Sequence, residues 1–181
     1  MLFGAVSIAV SAKGCAVALH AAAAARRGAT HIFMAPSGGG KSTIAWLCHT
    51  DGMPVIGDEY VLVLERAGRF HARLASPRDL NGNVCNLPLS ESVIKHVFFL
   101  RKAVTPGVER ITPFSALTAS LRSNSVIGLL DFAPSDRLIV LDRLIRFFRA
   151  VPAYILYFRK DNSFWKVIDE LEEREARRGT S

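Results

Sequence analysis

Thr30-His31-Ile32-Phe33-Met34-Ala35-Pro36-Ser37-Gly38-Gly39-Gly40-Lys41-Ser42-Thr43-Ile44-Ala45-Trp46-Leu47-Cys48-His49 carries, in immediate succession, an apolar run, a glycine-rich turn and a helical pattern. Thr30 to Ala35 is short, apolar and ends at the turn, which predicts a buried strand. Ser42 to His49 places Ile44, Ala45, Leu47 and Cys48 at helical spacing, and Asp51-Gly52 closes that helix. A phosphate loop of the form Gly-x4-Gly-Lys-Ser/Thr needs this strand-turn-helix context. Ser37, Gly38, Gly39, Gly40, Lys41, Ser42 and Thr43 are therefore the expected nucleotide-binding residues. Glycines let successive backbone N–H groups turn toward phosphate oxygens, and the helix start adds its positive end. Lys41 is expected to reach the β- and γ-phosphates, and Ser42 to offer a hydroxyl to Mg²⁺.

One position departs from the pattern: Ala35 stands where the first glycine belongs. Alanine does not readily adopt a positive φ. The loop must then begin in ordinary backbone space, and Pro36 favours an extended residue before it.

Outward from the loop, Gly57-Asp58-Glu59 lies between two β-prone stretches, Val55-Ile56 and Tyr60 to Leu64. Adjacent carboxylates can divide metal binding and proton acceptance between them. Neighbouring residues of an extended strand face opposite sides. Both acids can face one site only if the backbone bends, and Gly57 permits that. Upstream, Ala16 to Ala25 is ambiguous: its alanines favour helix, while the turn signal Arg27-Gly28 favours a strand entering a hairpin. His20 lies in this stretch. Histidine in apolar surroundings is more often a satisfied core group, and His31, His49, His71 and His96 are read that way.

The remaining elements predict a mixed sheet in one domain spanning residues 1–181. Leu2 to Ser11, Phe70 to Leu74, Val97 to Leu100 and Ala153 to Phe158 read as strands. Pro113 to Leu121, Asp136 to Phe148 and Asn162 to Arg178 read as helices. Leu138, Leu141, Leu144, Ile145 and Phe148 form the expected buried face of the second. Pro77 to Pro88, with Asn81-Gly82-Asn83, reads as a loop.

The chain has 181 residues and a net charge of +7, with half of its residues hydrophobic. Its first acid is Asp51, so the phosphate loop sits in an acid-free stretch suited to a polyanion. The other basic residues are scattered, which argues against nucleic acid as partner. Arg174, Arg177 and Arg178 alternate with Glu172, Glu173 and Glu175 as on a solvated helix face. No apolar run predicts a membrane span. Three unclustered cysteines indicate neither a disulfide framework nor a zinc site. A cytoplasmic protein is expected, and a homo-oligomer is compatible with this composition.

Three elements taken in order resemble the catalytic domain of the HPr kinase/phosphorylase family. They are Leu19-His20-Ala21 before a hairpin, Pro36 to Thr43, and Gly57-Asp58-Glu59 where that family usually has two aspartates. Leu100 to Leu121 and Val151 to Tyr157 resemble the later part of its stand-alone members. The resemblance implies an α/β fold like phosphoenolpyruvate carboxykinase, with a P-loop in a mixed β core. It implies an ATP- and Mg²⁺-dependent serine kinase acting on a peptide or protein, in which Asp58 is the base, Glu59 binds metal and His20 lies near the γ-phosphate. The short stand-alone relatives include kinases of lasso-peptide precursors. A small-metabolite kinase and a non-catalytic nucleotide-binding module are the alternatives.

Overall fold

The computed structural model describes residues 16–74 and 91–179. The strand expected over Leu2 to Ser11 and the loop expected over Pro77 to Pro88 lie outside them. In chain order the described elements are β1 (Val17–Leu19), β2 (Ala21–Arg26), β3 (Ala29–Met34), α1 (Lys41–Thr50), β4 (Val55–Gly57), β5 (Val61–Arg66) and β6 (Arg69–Leu74). Then follow β7 (Ser92–Lys102), β8 (Gly107–Ile111), α2 (Pro113–Arg122), α3 (Pro134–Ala150), β9 (Ala153–Phe158) and α4 (Ser163–Gly179).

The strands form one curled, mixed sheet. Its main path runs β1-β5-β6-β7-β3-β2-β4, and β9 joins through β7 and carries β8. β3 pairs with β7, and β7 with β9, in parallel; the other pairings are antiparallel. The long strand β7 takes β6 as its neighbour near its start and β9 toward its end.

The alanine-rich stretch resolves as strand. Ala21, Ala22, Ala23 and Ala24 are each no more than 1% exposed. Alternate alanines serve two separate cores, so both faces of β2 are covered. Methyl groups leave room for that, and tertiary packing overrides helix propensity. One core lies under α2 and α3, the other under α1 and α4. Arg27 and Gly28 both take positive φ, as a two-residue hairpin turn requires.

The buried face of α3 differs from the expected one. Val140, Leu144, Phe147 and Phe148 are buried, whereas Leu138 is 69% exposed and Ile145 38%. The helix is rotated by about one position, so that Phe147 meets Phe70 of β6 edge-on. Among the described residues, no helix is long and apolar enough to cross a membrane.

Candidate functional site

The topology brings the three motifs together. The chain steps from one limb of the sheet to the other at two points. One is His20, between Leu19 (paired with Val61) and Ala21 (paired with Met34). The other is Asp58 to Tyr60, between Gly57 (paired with Ala23) and Val61. The two crossings are adjacent, and the His20 and Tyr60 rings lie 6.4 Å apart. The glycine-rich turn starts where Met34 ends β3, beside Ala21. The bend foreseen at Gly57 is present: a Cβ there would fall 2.8 Å from Tyr60 O, so the close return of the chain requires glycine.

Within the turn, Gly38 and Gly40 have φ of 73° and 109°. Gly39 N–H donates to Pro36 O at 3.0 Å. Ala35 is not among the residues with positive φ, as expected for a loop that begins in ordinary backbone space. Its methyl group explains the central glycine: a Cβ on Gly39 would lie 2.5 Å from Ala35 Cβ. α1 starts at Lys41 with no side-chain cap and no acid in its first turn, which leaves its N-terminal N–H groups for an anion. Ser42 is exposed in that turn.

Lys41 is more enclosed than its expected role requires, at 6% exposed. Its Nζ curls into the turn and donates to Ala35 O at 2.8 Å and Pro36 O at 3.3 Å. Burial holds its pKa below the ordinary lysine value, and the Glu59 carboxylate opposes that shift. His20 is held below the ordinary histidine value by burial and then by the Lys41 charge, again opposed by Glu59. Asp58 is half-buried; burial, then the neighbouring Glu59 charge, raises its carboxyl. Of the two acids, Glu59 is thus the one that acts on Lys41 and His20.

Lys102 was not foreseen. It stands at the end of β7 and donates from Nζ to Gly38 O at 2.9 Å. Nothing local marks it; only the parallel β3–β7 register brings it to the turn. A groove of about 390 Å³ borders the turn, lined among others by Ala35, Pro36, Arg101, Arg122 and Ser123. Arg101 thus stands on the wall of this groove. Arg110 lines a larger hollow of about 500 Å³ near the start of β9.

The glycines give a graded expectation. A Cβ on Gly38 meets nothing within 4 Å, so Gly38→Ala should cost only the left-handed strain, about 1–2 kcal/mol. At Gly40 a Cβ would fall 2.4 Å from Phe158 Cζ, and Phe158 is itself 1% exposed. Strain and overpacking add there, so Gly40→Ala should cost roughly 2–4 kcal/mol. Urea unfolding of the two variants checks the order; equal losses would mean that Phe158 does not support the turn.

Residues 3–173 match the model of a family described as SynChlorMet cassette protein ScmC. No curated protein matches the chain. Among solved structures, the chain is similar to the Hpr(Ser) kinase/phosphatase from Coxiella burnetii. Identity is 7% and the TM-score 0.49, over 88% of this chain and 98% of that chain.

Proposed function

We propose a function for a chain that belongs to the SynChlorMet cassette protein ScmC family: it binds ATP with Mg²⁺ and transfers the γ-phosphoryl group to a serine of a peptide or protein. The observation that carries this reading is the enclosed Lys41 ammonium inside an uncapped glycine turn. A desolvated cation beside unspent helix N–H groups favours a polyanion. The Glu59 carboxylate, whose charge partly offsets the lowering of the Lys41 pKa, suits the metal that accompanies a triphosphate.

In this reading residues 1–181 form a single P-loop domain like phosphoenolpyruvate carboxykinase, working in the cytoplasm. Ser37 to Thr43 bind the phosphates through backbone N–H groups, and Lys41 reaches the β- and γ-phosphates. Ser42 and Glu59 would hold Mg²⁺, which would supply charge neutralisation to the triphosphate. Asp58 accepts the proton of the serine hydroxyl as its oxygen bonds to the γ-phosphorus. The bond from that phosphorus to the β–γ bridging oxygen breaks, and ADP leaves. His20 packs neutral beside the γ-phosphate position. The groove at Pro36, with Arg101 and Arg122 on its wall, receives the peptide and pairs with its carboxylates. A precursor peptide made by a neighbour in the same cassette suits that role.

The test is a mass-spectrometric screen with ATP and Mg²⁺. Peptides ending in serine, alanine or threonine are compared with free serine and other small alcohols. A phosphate mass shift on the serine peptide, absent with alanine, is expected. Phosphorylation of small alcohols alone would make the protein a metabolite kinase. ATP binding with no transfer to any acceptor would make it a binding module.

A further inference from the structure

His31 and His96 were read as satisfied core histidines, and the structure departs from that reading. The parallel register sets His31 of β3 opposite His96 of β7. Both are 1% exposed, with rings 5.3 Å apart and inclined by 18°. α4 covers them and turns Glu172 and Glu175, three residues apart on one face, toward the pair. Glu175 Oε2 lies 2.8 Å from His96 Nε2. Glu172 Oε1 lies 3.6 Å from His31 Nε2, beyond hydrogen-bond length. His31 Nδ1 and His96 Nδ1 are buried without a partner. His31 is therefore a fully buried imidazole whose Nδ1 has no hydrogen-bond partner. A buried polar group left without a partner is destabilising unless a ligand satisfies it.

We infer that His31, His96 and Glu172 form a binding site for a divalent first-row transition-metal ion such as Zn²⁺. One donor atom from each lies within 4.8 Å of the other two. Bonds of about 2.0–2.2 Å to one ion require the three to close by roughly an ångström. The long Glu172 side chain can supply that movement. Two imidazoles and a carboxylate are a zinc-type donor set; Mg²⁺ and Ca²⁺ need more oxygens than two glutamates offer.

The surroundings supply the supporting shell that such a site needs. Tyr154 donates to Glu175 Oε1 at 2.5 Å, and Glu172 is held by Lys95 Nζ at 2.8 Å from Oε1, the oxygen that faces His31, and by Arg27 at 3.9 Å from Oε2. Lys95, Arg26 and Arg27 would oppose a cation, but Asp169, Glu172 and Glu175 match them in number. Arg26 and Arg27 are already paired with Asp169, at 2.6 and 3.0 Å. An ion here would pin α4 to β3 and β7, the two strands whose far ends carry the glycine turn and Lys102. The inference does not depend on phosphoryl transfer.

The full-length protein, stripped with chelator, is titrated with Zn²⁺ by calorimetry and with Co²⁺ by visible absorption. One equivalent should bind, raise Tm and give nitrogen/oxygen-ligated Co²⁺ bands that excess Mg²⁺ does not displace. Glu172→Gln, at a partly exposed position that keeps the fold, should weaken binding at least tenfold. His31→Phe should abolish it, while His49→Ala, on the exposed side of α1, should leave it unchanged. Four results would each overturn the site: no binding by the wild type, binding indifferent to Glu172→Gln, displacement by Mg²⁺, or thiolate charge-transfer bands that assign the ion to cysteine.

Discussion

Lys41→Met should lower affinity for ATP with Mg²⁺ by roughly 10²–10⁴-fold while the protein stays folded. A charge-assisted hydrogen bond contributes about 1.5–3 kcal/mol, and the ammonium is proposed to serve two phosphates. At about 1.4 kcal/mol per tenfold, two such bonds give that range. Methionine keeps the length and apolar stem of lysine in a position that is 6% exposed, so it avoids the cavity that alanine would leave. The turn itself should loosen, because Ala35 O and Pro36 O each lose a donor. Calorimetric titration measures the affinity, and amide hydrogen exchange of residues 36–40 reports the loosening. Wild-type affinity in this variant would rule out the turn as the triphosphate site.

The glycine turn was legible because its signal is local: strand, turn and helix are contiguous, and each has its own sequence pattern. Even the departure at Ala35 could be read through to its consequence for backbone conformation. The meeting of His20 with Asp58 and Glu59 was not legible from spacing. It follows from two adjacent crossings of a curled sheet, and only the family resemblance suggested it. That resemblance rests on three short motifs, whereas the family model that matches residues 3–173 is that of ScmC. Lys102 and Phe158 escaped notice for the same reason: each reaches the turn through long-range strand pairing.

The tail helix misled in another way. Alternating Arg and Glu looked like a solvated face, but three-residue spacing turns Glu172 and Glu175 inward while Arg174 and Arg178 stay exposed. Charge pattern alone does not say which carboxylates have buried partners; here the partners, His31 and His96, lie far away in sequence. β8 was missed altogether, since Gly107 to Ile111 has little apolar content and is held as an edge strand by β9.

Asp58→Asn separates binding from transfer. Asparagine keeps the shape of the side chain but accepts no proton, so ATP affinity should stay within a few-fold. Transfer to serine should fall by about 10²–10⁴-fold, the usual contribution of a general base. Glu59→Gln should behave differently. Glu59 is the acid whose charge acts on Lys41 and His20, so its loss should raise the Mg²⁺ concentration needed for half-maximal rate. The pH profile adds an independent sign. Burial and Glu59 raise the Asp58 carboxyl, and only its ionised form can take the proton. The wild-type rate should therefore fall as pH drops through that raised pKa, at higher pH than an ordinary aspartate would give. The residual rate of Asp58→Asn should lack this acid limb. Rapid-quench transfer assays across pH and Mg²⁺ would measure all three effects. Near-wild-type transfer by Asp58→Asn, with the acid limb intact, would remove Asp58 from the chemistry. His20, neutral and beside the same crossing, would then be the next base to test.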